Sequence, residues 1–296
     1  MLILVSDAFD ASLPEKLSCF GEVTDDVTRI AEADVILVRS KTKCTREYID
    51  SAPKRRLIIR GGVGMDNIDR AYCKEKGIIA VNTPKSSAIA VAEMAFAFML
   101  STASRICYYD STMKAGEWAK KTKRSELCGK TLTLLGYGNI PRQVAVRAKA
   151  FGMTVQAYDP YVKEAEGVTL IASLEEAVRN ADYISMHLPY TEETDKIMND
   201  SLISHMEKKP VVVNTGRGKT VDEAAMAAAL KEGKVSWYCA DVYSTEPPVK
   251  GENPILECGN VTLSPHVGAN SKENLLRIGQ EVYDTIDALV KEGKLK

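Results

Sequence analysis

Residues 131–159 read Thr131-Leu-Thr-Leu-Leu-Gly136-Tyr137-Gly138-Asn139-Ile140-Pro141-Arg-Gln-Val-Ala-Val-Arg-Ala-Lys-Ala-Phe151-Gly-Met-Thr-Val-Gln-Ala-Tyr158-Asp159. An apolar strand, a glycine turn, a helix through Ala150 and a second strand ending beside an acid follow in the order of a Rossmann dinucleotide-binding unit. Gly136 suits the tight turn and Gly138 the close approach of a pyrophosphate. The N–H groups of Asn139 and Ile140 open a helix whose positive end attracts phosphate charge. Asp159, 18 residues beyond Pro141, is placed to accept hydrogen bonds from the adenosine ribose hydroxyls, and its charge opposes a 2′-phosphate. The expected cofactor is therefore NAD rather than NADP. Pro141 stands where the fingerprint has its third glycine, but proline is tolerated in a first helical turn, so the site is expected to survive the change.

Working outward, short apolar or β-branched runs alternate with helical patterns: 2–5, 35–38, 57–59 and 78–81 before this unit, then 183–187, 211–214, 237–241 and 261–263 after it. Such alternation predicts parallel sheets covered by helices on both faces. A length of 296 residues lies where a single core stops growing, so two domains are expected. Composition shifts near residue 100, where the apolar, helix-forming run 86–109 gives way to the basic, polar stretch 114–130. After Asn270 comes one amphipathic helix carrying Leu275, Leu276, Ile278, Val282, Ile286 and Leu289, and a lone terminal helix needs a host surface.

Composition narrows the function classes. With 39 basic and 40 acidic residues interspersed, and a formal net charge of -1, nothing supplies the basic stripe that a nucleic acid needs. Seven cysteines without a C-x-x-C pair disfavour a disulfide framework and a zinc site, so no metal is expected and reduced thiols in the cytoplasm fit best. The opening Leu2-Ile3-Leu4-Val5 has no basic flank and reads as a strand rather than a signal peptide. The longest apolar stretch, 88–100, contains Glu93 and is too short to span a bilayer. Gly129-Lys130-Thr131 and Gly218-Lys219-Thr220 imitate the end of a P-loop, but Arg124 and Val213 stand where its first glycine belongs.

Three later segments each end an expected strand with polar residues: Asn214-Thr215-Gly216-Arg217-Gly218, Asp241-Val242-Tyr243-Ser244-Thr245-Glu246-Pro247 and Ser264-Pro265-His266-Val267-Gly268. Carboxyl ends of parallel strands are where doubly wound folds bind ligands. Moving a hydride between a hydroxy acid and nicotinamide requires a cation for the substrate carboxylate and a group that moves the hydroxyl proton. Arg217 and His266 are those types, and Glu246 beside the histidine would stabilise imidazolium and orient the ring. His187 ends a buried strand and is read as satisfying backbone groups near the cofactor without moving a proton.

With these residues in place, the sequence resembles the D-isomer-specific 2-hydroxyacid dehydrogenases over nearly its whole length. Arg60-Gly61-Gly62-Val63-Gly64-Met65-Asp66-Asn67-Ile68-Asp69 is similar to the family's substrate loop. Asn82-Thr83-Pro84 and Val91-Ala92-Glu93 resemble its interdomain helix, and His187-Leu188-Pro189 with Thr191 and Thr194 its loop over the adenosine. The order Arg217, Glu246, His266 resembles its catalytic triad, and Asp241 matches the residue that binds the nicotinamide amide. The resemblance implies a Rossmann domain inserted into a flavodoxin-like substrate domain, here 1–99 and 271–296 around 100–270. It places Thr215, Gly216, Arg217, His266 and Gly268 at the cofactor and Arg39, Ser40, Gly62, Val63 and Gly64, with Arg217 and His266, at the substrate. It also implies a homodimer built through the nucleotide domains, with a cleft that closes over substrate.

Within the family, Arg39-Ser40-Lys41-Thr42 resembles the Arg-Ser-x-Thr segment of the phosphoglycerate branch, which serves serine synthesis. Val63 departs from that branch, where threonine is common, and the chain is too short for the C-terminal regulatory domain of its longer members. Hydroxypyruvate or glyoxylate reduction and D-lactate oxidation are the alternatives. Two further classes compete: a corepressor-like protein that uses NAD only as a conformational ligand, and an S-adenosylmethionine-dependent enzyme. The second would leave the arginine, glutamate and histidine loops without a purpose.

Overall fold

The structure, a computed structural model, describes residues 1–295. The chain divides into two compact units, Met1–Ala88 with Ala269–Lys296, and Ile89–Gly268.

The first unit holds strands β1 (Leu2–Val5), β2 (Glu22–Thr24), β3 (Val35–Val38), β4 (Leu57–Arg60) and β5 (Ile79–Asn82). All pair in parallel in the order β2-β1-β3-β4-β5, the doubly wound flavodoxin-like order. The central runs Leu-Ile-Leu-Val and Val-Ile-Leu-Val are apolar at every position because both faces are covered. Leu4, Ile36 and Ile58 face one cluster, Ile3, Leu37 and Ile59 the other. The terminal helix Lys272–Lys291 supplies the cover for the second face, with Ile278, Val282 and Ile286 fully buried among Leu13 and Leu17. Leu276 is instead 50% exposed: two residues before Ile278, it lies on the opposite side of the helix, so the buried stripe is narrower than the sequence spacing suggests.

The second unit carries β6 (Thr131–Leu135), β7 (Thr154–Tyr158), β8 (Thr169–Leu170), β9 (Tyr183–Met186), β10 (Val211–Asn214), β11 (Trp237–Ala240) and β12 (Val261–Leu263). The parallel sheet runs β12-β11-β10-β9-β6-β7-β8. Counting strands from β6, this is the 3-2-1-4-5-6 Rossmann order with one more strand at the far edge. Two strands, β2 and β8, have no counterpart in the sequence reading. Both are sheet edges of two or three residues with exposed or half-buried side chains, too short to show alternation.

The first crossing between units falls at Ala88, earlier than the composition shift near residue 100. The reason is packing: helix Ala88–Ser104 buries Ala92, Ala95, Phe96 and Met99 in the core of the second unit. The helical run then breaks at Arg105, whose φ of 54° is left-handed, and restarts as Ile106–Lys114. Among the described residues no single helix is long and apolar enough to cross a membrane; these two pass that test only as a pair, bent by 58°.

Candidate active site

In the second unit the strand order reverses between β6 and β9, the point where doubly wound folds open a crevice. Gly136 turns the chain there with φ +89°, and a Cβ on it would sit 3.1 Å from the His187 carbonyl oxygen, so the glycine is required by both dihedral and space. Gly138 differs. Its backbone is extended, and a Cβ would meet nothing within 4 Å. The fold itself therefore does not demand a glycine at 138; open space is kept above the turn, which suits a closely approaching phosphate. Helix Asn139–Ala150 follows with no side-chain cap from Gly138. Ile140 is half-buried against the core, and Pro141 is buried within the first turn, where it interrupts nothing.

Asp159 accepts from Tyr137 N–H at 2.8 Å through one carboxylate oxygen and from Tyr161 N–H at 2.9 Å through the other. It ties the end of β7 to the glycine turn. A carboxylate has about four lone-pair sites, so capacity remains for two ribose hydroxyls. The two tyrosine N–H donors were not singled out in the sequence, since any residue supplies them.

Across the crevice, His187 Nε2 lies 2.8 Å from Ser185 Oγ, a hydroxyl rather than the backbone groups expected. Burial pushes its imidazole down to about 3, so the ring is neutral. Its Nδ1 is buried without a partner, and so is Thr215 Oγ1 at the end of β10. Two orphaned polar atoms in this unit, together with the space at Gly138, fit a polar cofactor such as NAD. Leu188 is buried in the core and Pro189 exposed, the latter's carbonyl accepting from Thr194 Oγ1 at 2.6 Å.

β10, β11 and β12 are in-register neighbours, so the loops leaving their carboxyl ends lie side by side. Asn214 is fully buried and splints the first loop, its Nδ2 donating to Arg217 O and its Oδ1 accepting from Gly216 N–H, both at 3.0 Å. A Cβ on Gly216 would come within 3.1 Å of Met186 O, and one on Gly218 within 1.9 Å of Tyr243 C. The loop carrying Arg217 is thus wedged between neighbouring backbones, and its guanidinium Nη1 donates to Gly216 O at 2.8 Å.

Asp241, 2% exposed, accepts from Ser264 Oγ, from Val267 N–H at 2.8 Å and from Gly268 N–H at 2.8 Å. These bonds flank His266 and hold it at φ 53°, a left-handed conformation that costs a non-glycine residue about 1–2 kcal/mol. Such strain persists only where surrounding contacts over-determine it. Asp241 is accordingly occupied mostly with positioning this loop, a part that the sequence left unseen. His266 Nδ1 meets Glu246 Oε2 at 2.7 Å, and Glu246 Oε1 accepts from Tyr243 N–H at 3.1 Å. Burial pushes the Glu246 carboxyl up, but the hydrogen bond and charge of His266, the Tyr243 N–H and the charge of Arg217 outweigh it and hold the group below its usual range. Glu246 is ionised, and all three residues of the expected constellation converge.

In the first unit the carboxyl ends of β1, β3 and β4 carry the remaining candidates. Arg39 is half-buried, its Nη1 donating to Ala8 O at 3.3 Å and its Nε buried without a partner. Ser40 is exposed. Gly62 N–H donates to Thr83 Oγ1 at 2.7 Å, Asn82 Nδ2 donates to Val63 O, and Gly64 is half-buried, which leaves the Val63 side chain facing solvent. Among the described residues, no group of three His, Cys, Asp or Glu side chains is arranged to hold a metal ion.

Fold and site together define a doubly wound dinucleotide-binding protein with arginine, glutamate and histidine on adjacent loops. Residues 96–268 match the NAD binding domain of the D-isomer specific 2-hydroxyacid dehydrogenases, and the chain belongs to that family. It is 41% identical, over 98% of its length, to 57% of the D-3-phosphoglycerate dehydrogenase of Methanocaldococcus jannaschii. It is 42% identical, over 87% of its length, to 85% of the hydroxypyruvate reductase of Thermotoga maritima. The D-lactate dehydrogenase of Aquifex aeolicus, solved with NAD and lactic acid, matches at a TM-score of 0.85 and 31% identity, over 99% of this chain and 96% of that one. The chain spans only 45–57% of the length of several phosphoglycerate dehydrogenase relatives.

Proposed function

We propose that this protein interconverts a D-2-hydroxy acid and its 2-keto acid with NAD, and that its substrate is 3-phosphoglycerate, at the entry to serine synthesis. The observation that carries the chemistry is the His266 Nδ1–Glu246 Oε2 contact at 2.7 Å, which leaves Nε2 as the ring nitrogen for the substrate. NAD, when bound, supplies the partner that takes or returns the hydride. Arg217 holds the substrate carboxylate and polarises the C2 oxygen. His266 removes the C2 hydroxyl proton in oxidation and returns it in reduction, while Glu246 stabilises the imidazolium and fixes the ring. Gly136, Gly138, Asn139 and Ile140 cradle the pyrophosphate, Thr215, Gly216 and Gly268 line the cofactor, and Asp241 receives the nicotinamide amide.

Asp159 sets the cofactor preference, because its charge accepts ribose hydroxyls and repels a 2′-phosphate. In kcat/KM the protein is expected to prefer NAD, and Asp159→Ala to erase most of that preference. Equal use of NADP by the unmodified protein, or an unchanged preference in the variant, removes Asp159 from this role.

The substrate reading rests on Arg39, whose guanidinium has one weak partner and a buried orphan nitrogen and suits a phosphate. Initial rates with NAD and a panel of 3-phosphoglycerate, glycerate, lactate and malate, together with hydroxypyruvate reduction, test it. Arg39→Ala should lower kcat/KM for 3-phosphoglycerate by about 10- to 100-fold, the value of one or two charge-assisted hydrogen bonds, and affect glycerate far less. A preference for lactate or hydroxypyruvate, or equal losses on both substrates, rejects phosphate recognition.

The protein is further proposed to act in the cytoplasm as a homodimer. Supporting the dimer, Ile106 and Met113, seven residues apart on helix Ile106–Lys114, and Trp118 beyond it are 56%, 54% and 75% exposed, apolar side chains that a second copy would cover.

A further inference from the structure

The first unit contains a buried carboxylate that none of this chemistry uses. Asp7 follows β1 and is 8% exposed. In a sheet ordered β2-β1-β3-β4-β5, the switch point lies between β1 and β3, and Asp7 reaches across it to the loop that leaves β3. One oxygen accepts from Arg39 N–H at 2.5 Å and from Thr42 N–H at 3.1 Å; the other accepts from Thr42 Oγ1 at 2.7 Å. Asn67 completes the arrangement from the opposite side, its Nδ2 donating to Arg39 O and Thr42 O, both at 2.7 Å. Both ends of the four-residue loop are therefore held through donors and acceptors alike. Three of the roughly four lone-pair sites of the carboxylate go to the loop's backbone and hydroxyl, so Asp7 fixes the conformation of Arg39 without capturing its guanidinium. Among the described residues, the arginine side chain keeps its contact to Ala8 O and a buried Nε with no partner.

We infer that Asp7 is a positioning residue for substrate specificity, holding the loop 39–42 so that the Arg39 guanidinium meets the phosphate monoester of the substrate. This rests on the reading of Arg39 as the phosphate-binding residue. Rigid placement of a fork-shaped cation matters because its bonds to phosphate are bidentate and directional.

The test is steady-state kinetics of the full chain with saturating NAD, using 3-phosphoglycerate and glycerate. Asp7→Asn keeps the size of the side chain but turns an amide NH2 toward loop donors. It should lower the ratio of kcat/KM for 3-phosphoglycerate over glycerate by about tenfold, chiefly through KM, as expected for losing one or two charge-assisted bonds. Thr42→Val, which removes one bond and leaves the carboxylate in place, should shift the ratio the same way by less, and it carries the test if Asp7→Asn does not fold. In an Arg39→Ala background, Asp7→Asn should change the ratio by less than about twofold, because residues acting through one another are not additive. An equal loss on both substrates, a loss confined to kcat, or full additivity with Arg39→Ala overturns the role of Asp7 alone. If Arg39→Ala leaves the ratio unmoved, the phosphate reading falls, and the inference about Asp7 falls with it.

Discussion

Replacing His266 with asparagine is expected to lower kcat by on the order of 100- to 10,000-fold, the range that a positioned general acid or base contributes. Asparagine is the informative replacement because His266 sits at φ 53°, and asparagine accepts the left-handed region better than most residues. The bonds from Asp241 to Ser264, Val267 and Gly268 do not involve the imidazole, so the loop and the affinity for NAD, measured by fluorescence titration, should persist. The partner carboxylate adds a sign to the pH profile. Glu246 is held below the usual carboxylate range, so its ionised contact with His266 is kept at neutral pH and lost as the pH falls through that lowered value. Activity in reduction should therefore carry an acid limb set by Glu246, and Glu246→Gln, which has no such proton to gain, should remove that limb and lower the plateau. Full activity of His266→Asn rejects the proton-transfer role. A profile that Glu246→Gln leaves in place detaches the carboxylate from it.

Arg217→Met should reduce kcat/KM for the hydroxy acid by about 100- to 1,000-fold, the magnitude observed when a preorganised charge-stabilising donor is removed from a site. Methionine preserves an unbranched stem of similar length, while Asn214, Gly216 and Gly218 continue to shape the loop. The loss should therefore be chemical and not conformational, with the melting temperature nearly constant. Arg217→Lys should recover only part of it, since an ammonium restores charge but not the planar fork that grips a carboxylate at two points. Equal rates in the lysine variant and the unmodified protein would falsify the bidentate reading and leave a purely electrostatic role.

Several residues show how far local sequence reaches. The glycine turn and its flanking strands were legible because their causes are local: Gly136 needs a positive φ, and the strand before it, covered on both faces, has leucine at three of its five positions. The residue types at 217, 246 and 266 were legible because they punctuate the ends of such strands. The edge strands β2 and β8 were not, being too short and too polar to leave a pattern. Leu276, exposed despite its place in the apolar spacing, shows that a spacing close to helical does not say how wide the buried stripe is. For His187 the sequence points to backbone partners, whereas its ring meets a hydroxyl two residues away in the chain.

The sequence by itself determined two parallel, doubly wound sheets, a dinucleotide turn closed by an acid, and three polar loops carrying arginine, glutamate and histidine. Tertiary structure alone decided who meets whom. Glu246 reaches a histidine 20 residues further on because β11 and β12 are sheet neighbours. Asp7 reaches Arg39, 32 residues further on, because β1 and β3 pair side by side. The unit boundary falls at Ala88 because the following helix buries its apolar face in the second core. The physical reason is common to all three. Periodicity and turn chemistry are properties of a few consecutive residues, whereas adjacency follows from how crossovers stack strands and from which apolar faces they cover, and that is settled only when the whole chain packs.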